Sequence, residues 1–208
     1  CSFTVGPPNG RSTGRLTGRK VVVEHLGVAH HLLVTASTVD GPRVVLVDRS
    51  SEGIAAQTGL STRLQPLSDV TFTATPGQVV GGPDAVTALL DHLRMGICAT
   101  QLGVTERALA LTAEYTSTRH QFGRPIATFQ AVGQRLAAQF VNVGGIRLAN
   151  LSAAWRLANE RNATEDVLVA KRWASERATD VANATPHVPC GLGVPHRQPL
   201  HRHHLRKP

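Results

Sequence analysis

Around Gly81-Gly82-Pro83 the hydrophobic pattern of this chain changes period, and no single-class fold accommodates both halves. Before that point lie short β-branched runs at 20–24, 31–36, 43–48 and 69–73, separated by turn residues. Asp40-Gly41-Pro42 reads as a hairpin turn between two of them. After it, Val86, Leu89, Leu90, Leu93 and Ile97 repeat at helical spacing, Leu102, Ala108, Leu109 and Leu111 continue the stripe, and Pro83 suits a first helical turn. A second helical pattern covers 129–161. A third starts near Asn162, where Asn162 and Glu165 have capping-box spacing, and extends to Ala184 ahead of Pro186. The expectation is an α+β chain with a β-rich part over 1–82 and an up-and-down helical bundle over 83–208. Three of four helices are foreseen, so apolar faces around Leu109, Leu136, Val143 and Leu151 should stay partly uncovered.

Several function classes are disfavoured by composition. The formal charge is +8 over 208 residues, but four of the cations (Arg197, Arg202, Arg206 and Lys207) sit in an acid-free tail beyond Thr185. With 4% aromatics and no recognisable base-reading module, nucleic acid is not the expected partner. The absence of an 18-residue apolar run argues against membrane insertion, and the polar opening lacks a signal-peptide core, so a cytoplasmic location is expected. Cys1, Cys98 and Cys190 form no C-x-x-C pair, and Cys98 lies in an apolar helix as a small hydrophobe. His196, His201, His203 and His204 cluster without a carboxylate or thiolate at ligand spacing, so no metal site is expected. Neither a G-x-S-x-G elbow nor a P-loop is present. Trp155 and Trp173 are taken as packing anchors.

The turn between the first two helices carries more chemistry than a connector requires. Its sequence is Arg119-His-Gln-Phe122-Gly123-Arg124-Pro125-Ile-Ala-Thr128-Phe129-Gln130. Arg119 supplies a planar cationic fork suited to a pyrophosphate, Phe122 and Phe129 offer flat apolar surface, and Gly123 with Pro125 fixes the backbone path. Taken singly, Arg119 could serve only to cap a helix end and Phe129 could be a wedge under the turn. Arg94, inside an apolar helix, needs a partner if buried: Asp91 at i−3 is one, and a substrate cleft is the preferred other.

With the helix that follows, residues 119–130 resemble the R-x-x-F-G-x-P…F-Q segment of the flavin-dependent acyl-CoA dehydrogenases. The resemblance covers nearly the whole chain. Gly14-Arg-Leu-Thr-Gly18-Arg-Lys20 resembles the family's strand entry, Leu93-Arg94-Met95-Gly96 to Tyr115 its helix into the nucleotide turn, and Cys190-Gly191-Leu-Gly193 its glycine loop. It implies a barrel-like β middle domain and a helical bundle, with the family's N-terminal helical domain missing from this chain. It further implies FAD as cofactor, an acyl-CoA substrate undergoing α,β-dehydrogenation, and a homo- or hetero-oligomer. Arg119, Phe122, Gly123, Phe129 and Gln130 would reach an FAD held mainly by a neighbouring subunit, Gly191 and Gly193 would approach its pyrophosphate, and Arg94 would face the substrate cleft.

The departures concern catalysis. At the helix position where some members carry the catalytic glutamate this chain has Leu93, and it ends at Pro208, short of the other position. Val22 and Glu24 stand where the family often has Trp and Thr against the flavin, Cys190 replaces a glycine, and Gln198 a tyrosine. No catalytic residue is therefore assigned, and the chain is expected to be inactive alone. It is either a fragment or a base-lacking partner subunit of the two-subunit kind acting on steroid side chains; a purely structural interaction module is the alternative of another class.

Overall fold

The computed structural model describes residues 1–5, 13–61 and 64–187. Contacts divide the chain into two compact units, Cys1–Leu90 and Asp91–Pro208.

In the first unit six strands form one curled sheet: β1 (Ser2–Val5), β2 (Thr13–Glu24), β3 (His31–Thr38), β4 (Gly41–Asp48), β5 (Ile54–Leu60) and β6 (Pro66–Gly81). Their order is β2-β1-β3-β4-β6-β5, and an added β2–β6 pairing closes the ring, leaving β5 as an outer edge on β6. Apart from one parallel bridge between β1 and β3, the pairs are antiparallel. Alternation explains which face turns inward: Val34 and Ala36 of β3, Val45 and Val47 of β4, and Val70 and Phe72 of β6 meet Leu16 and Leu26 in a core where none is more than 5% exposed. Each such valine, leucine or phenylalanine side chain stabilises the fold by roughly 1.5–3 kcal/mol.

The expected hairpin forms, with Thr38 opposite Gly41 and Ser37 opposite Pro42, so Val39 and Asp40 are the two turn residues. Gly41 takes φ +103°, and the Thr38 hydroxyl donates to the Gly41 carbonyl at 2.8 Å. Two strands went unforeseen, β1 and β5, and β6 extends well past 73. β6 passes through Pro76-Gly77 because only glycine fits there: a Cβ at Gly77 would lie 2.7 Å from Val45 Cγ1.

Helix α1 (Pro83–Thr118) leads from the first unit into the second, where α2 (Gln130–Ala158) and α3 (Thr164–His187) pack on it. Cys98, Ile146, Ala153, Val167, Ala170, Ala174 and Ala178 form their common core. Small residues let α3 approach α2 closely, to the point that a Cβ at Gly145 would come within 2.9 Å of the Trp173 ring. Trp173 is thus a packing residue, as expected, and Trp155 lies over half exposed with Arg161 above its ring at 4.8 Å.

Four sequence expectations need correction. The α2–α3 turn is made by Asn159 and the positive-φ Glu160, so α2 stops at Ala158. Asn162 accepts from the Thr164 amide at 3.4 Å in place of the capping-box bond, and α3 continues through Pro186, since a proline in a final turn costs one backbone bond and leaves earlier turns intact. Of the four residues expected on partly uncovered faces, Val143 is buried, while Leu109 and Leu136 are half-buried and Leu151 is well exposed, as expected. Among the described residues no helix is long and apolar enough to cross a membrane, and no group of three or more side chains could hold a metal ion.

Gly53 is the sharpest local constraint in the sheet. It has φ +79°, and an added Cβ would lie 2.2 Å from the Thr73 carbonyl oxygen, which is backbone and cannot yield. Gly53→Ala should cost at least about 2 kcal/mol, combining an unfavourable φ with a steric clash. Urea unfolding followed by circular dichroism checks this; an unchanged midpoint would show that the loop relaxes freely.

Candidate functional site

The segment joining α1 to α2 is a miniature hairpin. His120–Gln121 (β7) pairs with Arg124–Pro125 (β8), leaving Phe122 and Gly123 as the turn. Their φ values are +52° and +78°, the two consecutive positive angles of a type I′ turn. Glycine adopts this freely, whereas an aromatic residue there is strained, and Phe122 is also 92% exposed. The hairpin brings the end of α1 beside the start of α2: the Ile126 amide donates to the Arg119 carbonyl at 2.8 Å, and Thr128 Oγ1 to the Pro125 carbonyl at 2.7 Å.

This geometry assigns different duties to the expected site residues. Phe129 is the extended residue preceding α2; Phe122 meets it edge-on at 6.1 Å and the Arg124 guanidinium covers its ring at 4.2 Å. One face of Phe129 is thereby occupied within the chain. The side chain of Arg119 is exposed and has no ion pair or hydrogen bond among the described residues. It does not cap α1, whose end is closed by the Arg119 backbone amide to Tyr115 (2.9 Å) and by His120 Nδ1 beside the Thr118 carbonyl (3.1 Å). Gln130 opens α2, which has neither a side-chain cap nor an acid in its first turn, so the positive end of its dipole is uncompensated. A free guanidinium, an exposed aromatic and an uncapped helix start on one short turn suit a nucleotide anion. Gly191 and Gly193, with Cys190, Gln198 and the histidine cluster, lie outside the described residues.

Arg94 departs from the preferred expectation. Its Nη1 lies 3.1 Å from Asp91 Oδ1 on the preceding turn, and the carboxylate is only 5% exposed. The other oxygen, Oδ2, accepts from Thr164 Oγ1 at 2.7 Å, which fastens α1 to the start of α3. A buried carboxylate needs a cation, and Arg94 is the one on its face of the helix. Leu93 beside it is exposed and carries no proton-accepting group.

At the Val22 and Glu24 positions β2 bulges, the register shifting between Lys20 and Val23. Val22 takes φ +58°, rare for a β-branched residue, and its amide donates to Asp69 Oδ1 at 3.2 Å, while Asp69 Oδ2 holds Arg19 at 2.5 Å. Sequence reading gave Asp69 and Thr164 no role and left Arg124 an unassigned position of the turn motif. Of the Asp91–Thr164 contact, only the Asp91/Arg94 spacing left a trace.

A family model for the acyl-CoA dehydrogenase C-terminal domain matches residues 81–207. The chain belongs to the acyl-CoA dehydrogenase family. It is 39% identical to acyl-CoA dehydrogenase FadE27 of Mycobacterium tuberculosis, over 96% of this chain and 57% of that one. Acyl-CoA dehydrogenase FadE28 of the same organism is 31% identical over 92% and 56%. Among solved structures, a variant of the Tcur3481-Tcur3483 steroid ACAD superposes with a TM-score of 0.91 at 35% identity, covering 99% of this chain and 56% of that one. The ChsE4-ChsE5 complex from Mycobacterium tuberculosis gives 0.89 at 37%, covering 99% and 57%. The chain thus spans a little over half the length of the acyl-CoA dehydrogenases it matches. The expected α+β architecture, a β middle domain followed by helices, is that of these acyl-CoA dehydrogenases.

Two outcomes follow from these contacts. The hydrogen bonds from Arg19 and the Val22 amide hold the Asp69 carboxyl below its ordinary value of 3.8. A carboxylate depressed in the folded state stabilises above its unfolded pKa, and that contribution is lost as pH falls through the lower folded value. The stability gap between wild type and Asp69→Asn should therefore be full at pH 6 and close below pH 3.8, as measured by denaturant midpoints across pH. Asp91→Ala strips the partner from half-buried Arg94 and from Thr164; it should cost about 1–3 kcal/mol, whereas Thr164→Val should cost about 1 kcal/mol. Equal losses in thermal melts would show that the Arg94 pair contributes nothing.

Proposed function

We propose that this chain is an acyl-CoA dehydrogenase subunit that completes an FAD site in trans, in the cytoplasm, within an oligomer whose base-carrying subunit performs α,β-dehydrogenation of an acyl-CoA thioester. The observation that carries this reading is the Arg119 turn, where the guanidinium is unpartnered and the adjoining helix start uncapped. These groups fit a pyrophosphate. Arg119 would hold the phosphates, Phe122 would lie against the nucleotide, and Gln130 with the first amides of α2 would donate to it. When bound, FAD supplies the acceptor for the hydride that leaves the substrate β-carbon.

The described residues supply no proton acceptor at the known helix position, since Leu93 is apolar, so the α-proton must go to a carboxylate contributed from outside them. In this reading the chain is inactive alone. Likeness to the Tcur3481-Tcur3483 steroid ACAD and to the ChsE4-ChsE5 complex favours the partner-subunit form, and likeness to the first a steroid-side-chain thioester as substrate class. Exposed apolar residues along α2, Phe140, Val141, Leu148, Leu151 and Trp155, each more than half uncovered, support assembly.

The test pairs wild-type and Arg119→Ala chains with a base-carrying subunit and titrates FAD into each stripped complex by flavin fluorescence. A bidentate arginine–phosphate contact contributes about 1.5–3 kcal/mol, so affinity should fall roughly 10- to 100-fold with folding little changed. Equal affinities in intact complexes would remove Arg119 from the site. Dye-linked acyl-CoA oxidation by the partner-free chain would overturn the wider reading.

A further inference from the structure

Arg124 follows Gly123 in the hairpin between α1 and α2, and no carboxylate is at hand to meet it. From Tyr115 to Asn159 the chain holds neither aspartate nor glutamate, and Arg124 forms no ion pair among the described residues. Its guanidinium lies over the ring of Phe129, 4.2 Å from the centroid, well inside the reach of about 6 Å for a cation–π contact. Electrostatically the place is a poor one. Phe129 is the N-cap of α2, whose first turn has no acid, so a cation beside it opposes the positive end of the helix dipole. The contact with the ring holds the guanidinium there against that opposition.

The Phe129 backbone is fixed independently of this contact. Its amide donates to the Ile126 carbonyl at 3.2 Å, and its carbonyl accepts the Val132 and Gly133 amides at 2.9 and 3.0 Å. Ring orientation is a separate matter, because the side-chain torsions stay free to change rotamer. Two ring contacts bear on it, the Arg124 guanidinium on one face and the Phe122 ring edge-on at 6.1 Å, with planes 86° apart. Phe122 is a weak brace, being 92% exposed and at positive φ. Arg124 is the firmer one, since a flat guanidinium against a flat ring restricts tilt as well as position.

We propose that Arg124 is a positioning residue of the nucleotide site: it stacks on Phe129 and sets the orientation in which that ring, with Phe122 at its edge, meets the flavin nucleotide. The proposal rests on the reading of this turn as an FAD site. It separates the work of two neighbouring arginines, Arg119 binding phosphate directly and Arg124 acting through an aromatic ring. A ring already ordered loses less rotamer freedom on binding, so the contribution appears as affinity.

The experiment titrates FAD by flavin fluorescence into stripped complexes of a base-carrying subunit with wild type, Arg124→Gln, Phe129→Leu and the double variant, alongside Arg119→Ala. Arg124→Gln should weaken FAD about two- to fivefold, and the same change in a Phe129→Leu background should have no effect, because the ring it acts through is gone. Arg124→Lys keeps the charge and loses the flat stack, so it too should bind less tightly than wild type. In the free chain with ring-labelled phenylalanine, Arg124→Gln should move the Phe129 ring signals, which a role in direct phosphate contact alone would leave in place. An Arg124→Gln effect that persists with Phe129→Leu shows direct contact with the nucleotide and overturns the proposal. So does wild-type affinity in Arg124→Gln or Arg124→Lys, or an unmoved Phe129 ring signal. Coupling between Arg124 and Phe129 with Arg119→Ala at wild-type affinity would remove Arg119 from the site and leave the role of Arg124 standing. A wild-type complex that takes up no FAD overturns both. If Phe129→Leu fails to assemble, Arg124→Lys and the ring signals decide.

Discussion

Two consecutive positive φ angles, at Phe122 and Gly123, reverse the chain between α1 and α2, and the candidate site depends on that reversal. Without it, Arg119 at the end of one helix and the free amides at the start of the next would face different directions. A type I′ turn does this in two residues, and Gly123 accepts the geometry at no cost. Phe122 does not. Its strain, on the order of 1 kcal/mol, is opposed inside the chain by the edge contact with Phe129, worth about 0.5–1.5 kcal/mol. Yet the ring remains 92% exposed, so most of its apolar surface is still in water. An asparagine would make the turn more easily. Choosing an aromatic there makes physical sense when a flat surface from outside the chain covers it.

The same imbalance marks α2 as a whole. Gln139, Val143, Ile146, Asn150 and Ala153 face the other two helices, while Phe140, Val141, Leu148, Leu151 and Trp155 line the opposite side. A helix apolar on both sides belongs in an interior, and in this chain only one side has one. α3 exposes fewer. Its buried face is built of alanine and valine, and its outer face carries the ion pairs Arg172–Glu176 and Arg177–Asp180 beside the half-exposed Leu168 and Val169. The larger set of uncovered apolar side chains lies on α2, the helix that begins at the Arg119 turn. Covering that surface and filling the turn would favour the same assembled state.

The division into a β-rich half and a helical half was plain from periodicity, because β-branched runs and heptad-like spacing are local signals. Strand β5, Ile-Ala-Ala-Gln-Thr-Gly-Leu, was not, since it contains almost nothing that favours a strand; its conformation comes from register with β6, from Ile54 opposite Phe72 to Leu60 opposite Pro66. β6 was read too short because Pro76-Gly77 resembles a break, and the reason it continues is the close crossing of Val45. In the site, Arg119, Phe122, Gly123, Phe129 and Gln130 were legible as a motif. Their unequal duties were not, because these depend on the ring contacts among Phe122, Arg124 and Phe129. Asp91 and Arg94 were visible as an i, i+3 pair. What could not be seen was the second contact of Asp91, to a hydroxyl 73 positions away at Thr164.

Asp91 also bears on whether α1 could offer a base for the proposed dehydrogenation. It lies two residues before Leu93 and could be mistaken for a displaced catalytic carboxylate. A proton acceptor must be reachable by the substrate C–H, and Asp91 is only 5% exposed, with one oxygen accepting from Arg94 and the other from Thr164. Protonating it would also leave Arg94 without its counter-charge while the side chain is about two-thirds buried. The carboxylate thus serves to hold α1 to α3 and to keep Arg94 in place. The two tasks are separable for a physical reason: a base must be reachable by the substrate, whereas a structural carboxylate is buried against its donors. Asp91 meets only the second requirement.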